Sequence, residues 1–141
     1  DRILHATARS ASMESAVRER PAVAVQAVAL KAFGAIAAAW SLTVREAAAL
    51  ADMSESTWKR AKKQDFAGEL TKDQTLRLSA LVGLFKALEL FFDAPISRQW
   101  VKLPNAGPEF EGQRPVDAMI QGGLPKILSV RGYVDALRGG V

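Results

Sequence analysis

Thr43-Val-Arg-Glu-Ala-Ala-Ala-Leu-Ala-Asp-Met-Ser-Glu-Ser-Thr-Trp-Lys-Arg-Ala-Lys-Lys63 is the stretch that decides the fold. Thr43 and Glu46, three residues apart, have the form of a capping box: the hydroxyl accepts from the backbone and the carboxylate reaches back. A helix therefore opens at Val44 and runs to about Ala51, with small Ala47 and Ala48 on its inner face. A second helix can cross it closely there. Asp52, Met53 and Ser54 then supply, in order, a tight turn, an apolar plug and an N-cap. Glycine is commoner at the position of Asp52, but aspartate enters the left-handed region more readily than most residues. From Ser54 to about Gln64 the second helix turns Thr57, Trp58 and Ala61 inward. Glu55, Ser56, Lys59, Arg60, Lys62 and Lys63 stay wholly or partly exposed. This is the pattern of a helix-turn-helix.

The flanking sequence is helical as well, and the fold class read from it is all-α. No run alternates apolar and polar residues as a half-buried strand does. Residues 1 to about 12 are small, polar and charged, and 1–20 read as an N-terminal arm. Pro21 suits the first turn of a helix ending near Trp40, with Val25, Val28, Phe33, Ile36 and Trp40 expected on its buried side. Thr71 and Gln74 form a second capping box. It opens a long helix carrying Leu76, Leu78, Leu81, Val82, Phe85, Leu88, Leu90 and Phe91, and Pro95 closes that segment. The chain thus divides into the arm, a helical unit over 21–95 and a tail unit over 96–141, with the last two packed together.

Composition narrows the function. The chain has 141 residues, 49% of them hydrophobic, enough for a core. It has no cysteine, which excludes disulfides and thiolate metal sites and fits a reducing cytoplasm. The single histidine, His5, lies in the arm. No nucleophile–base pair, phosphate-cradling glycine loop or ligand cluster is visible, so the sequence reads as no enzyme, with no metal and no cofactor. The most apolar window, residues 21–40, is largely alanine and reads as a buried helix rather than a membrane span. A net charge of +4 favours an acidic partner.

On the second helix, Ser56 and Lys59 are placed to face base edges in a major groove. Arg60, Lys62 and Lys63 are placed for phosphates, which attract charge without being read for sequence. With Thr57 these are the candidate DNA-binding residues. The alternative is an ordinary solvated basic helix.

The tail is punctuated by Trp100, a Pro104-Asn105 loop, Phe110, Gly112, Pro115, Gly122-Gly123 and a last helix over 124–137. Pro104 ends one helix and Pro115 suits the first turn of the next. Phe110 is expected to anchor the loop on the core, and Ile127, Leu128, Val130, Val134 and Leu137 form the apolar set of the last helix. This order of Trp100, Pro104, Asn105, Phe110, Gly112, Pro115, Gly122 and Gly139 resembles the C-terminal domain of the Xre/MbcA/ParS-type antitoxins. Those proteins also carry an Xre-like helix-turn-helix, which residues 43–92 are similar to. Phe110 departs from the usual leucine but keeps its bulk. Residues 1–20 lie outside the resemblance.

The resemblance implies a partner, a RES-domain toxin that consumes NAD, and neutralisation by occlusion. Arg138, Gly139, Gly140 and Val141 are the implied toxin-binding residues. Two glycines let a narrow backbone enter a cleft, and a terminal carboxylate can pair with cationic groups that hold phosphates. The resemblance also implies autorepression at operator DNA by a homodimer in the cytoplasm. The rival reading is a helix-turn-helix repressor whose tail serves dimerisation.

Overall fold

A computed structural model describes residues 24–63, 66 and 68–139, and the expected arm over 1–20, the Pro21 helix start, Gly140 and Val141 lie outside them. The first helix, α1, is described over 24–39, and is followed by α2 (Val44–Ala51) and α3 (Glu55–Lys62). Then come α4 (Lys72–Phe91), the short α5 (Ile96–Gln99) with a 3-10 turn at Trp100–Lys102, and α6 (Pro115–Gly139). The fold is all-α, and no strand occurs among the described residues.

Both capping boxes form. The Thr43 hydroxyl accepts from Glu46 N at 3.0 Å and the Glu46 carboxylate from Thr43 N at 2.9 Å. Thr71 and Gln74 repeat the arrangement at 3.0 and 2.9 Å. Each satisfies two backbone groups that a helix start leaves open.

The core is one cluster that takes Phe33, Trp40, Leu50 and Trp58 from the front of the chain and Phe110, Met119, Ile127 and Val130 from the tail. On α1 the buried stripe is Leu30, Phe33, Ile36, Ala37 and Trp40. Val25 and Val28, expected in it, are 63% and 67% exposed. Val28 stands two residues before Leu30, roughly 200° round a helix, so it faces away. The same displacement puts Leu76 outside when Leu78 is inside, and Leu90 outside when Leu88 is inside. Phe91 is exposed at the end of α4, Leu128 faces out two residues before buried Val130, and Leu137 lies past the last core residue, Val134. Near Val25, the inward position belongs to Gln26, whose Oε1 accepts from Leu70 N at 2.8 Å and whose Nε2 donates to the Gly68 carbonyl at 3.0 Å. One amide thereby ties the connection between α3 and α4 to α1.

The tail loop closes on Asn105. Its Oδ1 accepts from Gly107 N at 2.8 Å, its carbonyl from Gly112 N at 2.8 Å, and its own N–H donates to Gln113 at 3.1 Å. Phe110 is 1% exposed and meets Trp100 and Tyr133 edge-on, both at 5.5 Å, which is the anchoring expected of it. Lys126 and Ser129 fasten the loop from α6, donating at 2.6 Å to the Glu109 carbonyl and carboxylate respectively. Pro115 is the first residue of α6, and the helix breaks where Gly122-Gly123 stand. Gly123 has φ 68 and ψ −155, a region open in practice to glycine alone. Pro125 falls in the first turn after that break, where its missing N–H costs nothing.

Candidate nucleic-acid interface and C-terminal segment

Between α2 and α3 the turn is set by Asp52, which adopts φ 58 and ψ 50, the left-handed conformation expected of it. Its N–H donates to Ala49 O at 3.2 Å and that of Met53 to Ala48 O at 2.9 Å, so two of the carbonyls at the end of α2 find partners. Met53 is half-buried against the core. Replacing Asp52 with glycine removes the strain of a side chain at positive φ but adds freedom to the unfolded chain. A net gain of about 0.5 kcal/mol is expected. Thermal unfolding of Asp52→Gly measures it, and a lower midpoint than wild type would show that the aspartate holds the turn by its side chain.

Ser54 caps α3. Its Oγ accepts from Thr57 N at 3.1 Å and donates to Thr57 Oγ1 at 2.8 Å. Trp58, 1% exposed, seats the helix against Phe33 with ring centroids 5.2 Å apart, and Ala61 is buried beside it. The opposite face carries Ser56, Lys59, Arg60 and Lys63, all exposed, and Lys62, one turn on from Trp58, is exposed on the flank. Thr57 stands apart from these five. Thr57 is half-buried, and its hydroxyl is engaged by Ser54 and, at 3.4 Å, by Arg60. Among the six it is the least available to a base.

The helix-turn-helix is held from behind by side chains whose distant contacts the sequence did not announce. Gln74 uses its Oε1 for the capping box and its Nε2 to donate to the Asp52 carbonyl at 2.9 Å. Arg77, paired with Asp73, extends toward the Leu50 carbonyl at 3.5 Å. At the start of α2, Glu46 does more than cap. Its carboxylate lies 3.4 Å from Lys102 and 3.2 Å from Arg114, and Arg114 also grips Asp117 at 2.7 and 2.9 Å. One capping residue therefore joins the helix-turn-helix to the tail. Pairs 22 to 68 residues apart carry no local signal, which is why only the capping half of each role was legible.

Burial pushes the Glu46 carboxyl up, but the Thr43 N–H and the Lys102 and Arg114 charges outweigh it and leave it below its ordinary value. The Arg114 hydrogen bonds lower Asp117, and Asp117 in turn raises Arg114. Carboxyls depressed in the folded state stabilise it fully above the ordinary carboxylate range and lose that contribution as pH falls through it. Arg114→Gln is therefore expected to cost about 1 kcal/mol at neutral pH. The gap to wild type should narrow as both proteins are unfolded in urea toward about pH 3. A gap that stays constant across the series would rule out the ion pairs as its source.

The last helix, α6, finishes with Leu137, Arg138 and Gly139, all exposed. Arg138 lies 3.5 Å from Asp135 of its own helix. Among the described residues no group of His, Cys, Asp or Glu is arranged to hold a metal, and no helix is long and apolar enough to cross a membrane.

Comparison with known proteins agrees with the geometry of α2 and α3. Residues 19–83 match the family model for the antitoxin Xre-like helix-turn-helix domain. Over 113 residues the chain is 35% identical to the uncharacterized protein y4oB of Sinorhizobium fredii, covering 79% of this chain and 84% of that protein. No solved structure gives a significant match. The chain belongs to one family with that rhizobial protein, and its residues 19–83 are similar to the antitoxin Xre-like helix-turn-helix domain.

Proposed function

We propose that this protein is an antitoxin that binds and neutralises a RES-domain, NAD-consuming toxin, and that it represses its own operon through α3. The observation that carries the reading is the antitoxin Xre-like helix-turn-helix match over 19–83, joined in one core to a tail whose residue order resembles that of toxin-neutralising proteins. The exposed basic face of α3 supports operator binding. The free end of α6 supports a role for Arg138, Gly139, Gly140 and Val141 in covering the toxin's active site. In a cytoplasmic homodimer, two copies of α3 spaced about 34 Å apart match one turn of a palindromic operator. The protein acts by binding and is not an enzyme.

The test is co-expression with a RES-domain protein encoded beside this gene, followed by purification and an NAD-consumption assay. A stable complex with suppressed NAD loss is expected. Operator binding without any toxin complex would instead support the stand-alone repressor.

A further inference from the structure

The operator-binding role proposed for α3, on which this inference rests, sets that helix in a major groove with its N-terminal residues at the base edges. The first residue of α3 is Glu55, and it is exposed. None of the DNA contacts assigned above uses it. Successive helical residues turn by about 100°, so Glu55 stands within roughly 40° of Lys59 and 20° of Lys62, on one flank of the helix. Both lysines are exposed as well. Among the described residues Glu55 forms no ion pair, with Lys59 or with any other cation. A carboxylate in the first turn gains from the helix dipole. That accounts for its place in the free protein, but not for what it meets in a groove.

A groove walled by phosphates repels a carboxylate, and most base edges within it do the same. Guanine presents only acceptors, N7 and O6, and thymine presents its O4 acceptor beside a methyl group. Adenine sets its N7 acceptor next to the N6 donor, so a carboxylate that takes one hydrogen turns its other oxygen toward a lone pair. Cytosine alone offers an amino donor, N4, with no acceptor of its own beside it. Ser56 and Lys59 do not make this distinction, since serine bonds donors and acceptors alike and lysine favours guanine. We propose that Glu55 reads a cytosine in each operator half-site. Its carboxylate accepts from N4 and turns away the other three bases at that position. The same charge weakens attachment to DNA that lacks the cytosine, so Glu55 opposes the nonspecific pull of Arg60, Lys62 and Lys63.

The test selects duplexes from a random-sequence pool with the full-length protein, with Glu55→Gln and with Glu55→Ala, and then titrates the selected DNA by anisotropy. Wild type is expected to enrich cytosine at one position of each half-site. Changing that base to thymine should weaken wild-type binding about tenfold. Glutamine bonds adenine through N6 and N7, so Glu55→Gln should move the preference at this position from cytosine to adenine. Glu55→Ala should lose the preference and bind random duplex more tightly than wild type does. Both variants leave the Ser54 cap in place, and their thermal transitions report folding independently of DNA. Selection of the same bases by wild type and both variants, with only the thermal transitions lowered, would reduce Glu55 to a partner of the helix dipole and overturn the proposal. Wild type that selects a sequence without the cytosine would overturn it too, and in both cases operator binding stands. Wild type that selects no sequence and shows no salt-sensitive affinity would overturn operator binding itself, and the role of Glu55 with it.

Discussion

Replacing Lys59, Arg60, Lys62 and Lys63 together with alanine is expected to lower operator affinity about a thousandfold at physiological salt. Each phosphate contact releases condensed counterion, so four lost cations should also flatten the dependence of log affinity on log salt by about three to four units. The fold should survive. None of the four side chains is buried, α3 is seated by Trp58 and Ala61, and its N-cap at Ser54 is untouched. Alanine is moreover at least as good a helix former as lysine or arginine. Anisotropy titrations of operator DNA across a salt series separate this from nonspecific damage, because a misfolded variant loses its unfolding transition whereas a disarmed one keeps it. Toxin binding should be unchanged. Wild-type protein showing no salt-sensitive affinity for its promoter would reduce α3 to a solvated surface.

A milder change sharpens the test. In the proposed DNA complex Ser56 and Lys59 would read base edges, whereas Arg60, Lys62 and Lys63 would contact phosphates. Ser56→Ala should therefore compress the preference for operator over random DNA while leaving the salt slope intact. Thr57→Ala should act mainly on stability, because its hydroxyl already serves the cap of α3 through Ser54.

The features of the helix-turn-helix that were legible in the sequence are those whose cause is local. A capping box needs two residues three apart, and both boxes form where the spacing put them. A left-handed turn needs a residue that tolerates it, and Asp52 adopts that conformation. What the sequence hid depends on partners far along the chain. Apolar residues at Val25, Val28, Leu76 and Leu90 obey no stripe once the true one is known. The packing partner decides that stripe, because in an apolar-rich helix several faces look equally eligible. Glu46 is a fuller case: its spacing from Thr43 announced a cap, but nothing local announced Arg114, 68 residues away. Glu46→Gln should accordingly keep much of the cap and lose the grip on the tail.

Deleting residues 138–141 should abolish toxin neutralisation and leave the fold intact. The last core residue of α6 is Val134. Beyond it Leu137 is 39% exposed, and among the described residues Arg138 pairs with Asp135 of its own helix. Surface changes of this kind usually move stability by less than about 0.5 kcal/mol, so the thermal transition should shift little. The expected loss is instead functional, because a cleft no longer filled by a glycine-bearing backbone admits NAD again. Measuring NAD consumption by the toxin with full-length and truncated protein gives the outcome, and pull-down of the toxin by each form locates it. Restored NAD loss with the toxin still bound means that docking lies elsewhere and the end of the chain does the blocking. Restored NAD loss with binding gone means that the last four residues do both. Full protection by the truncated form, in a complex as stable as the original, would exclude occlusion by this segment and move the inhibitory contact to another face of the molecule.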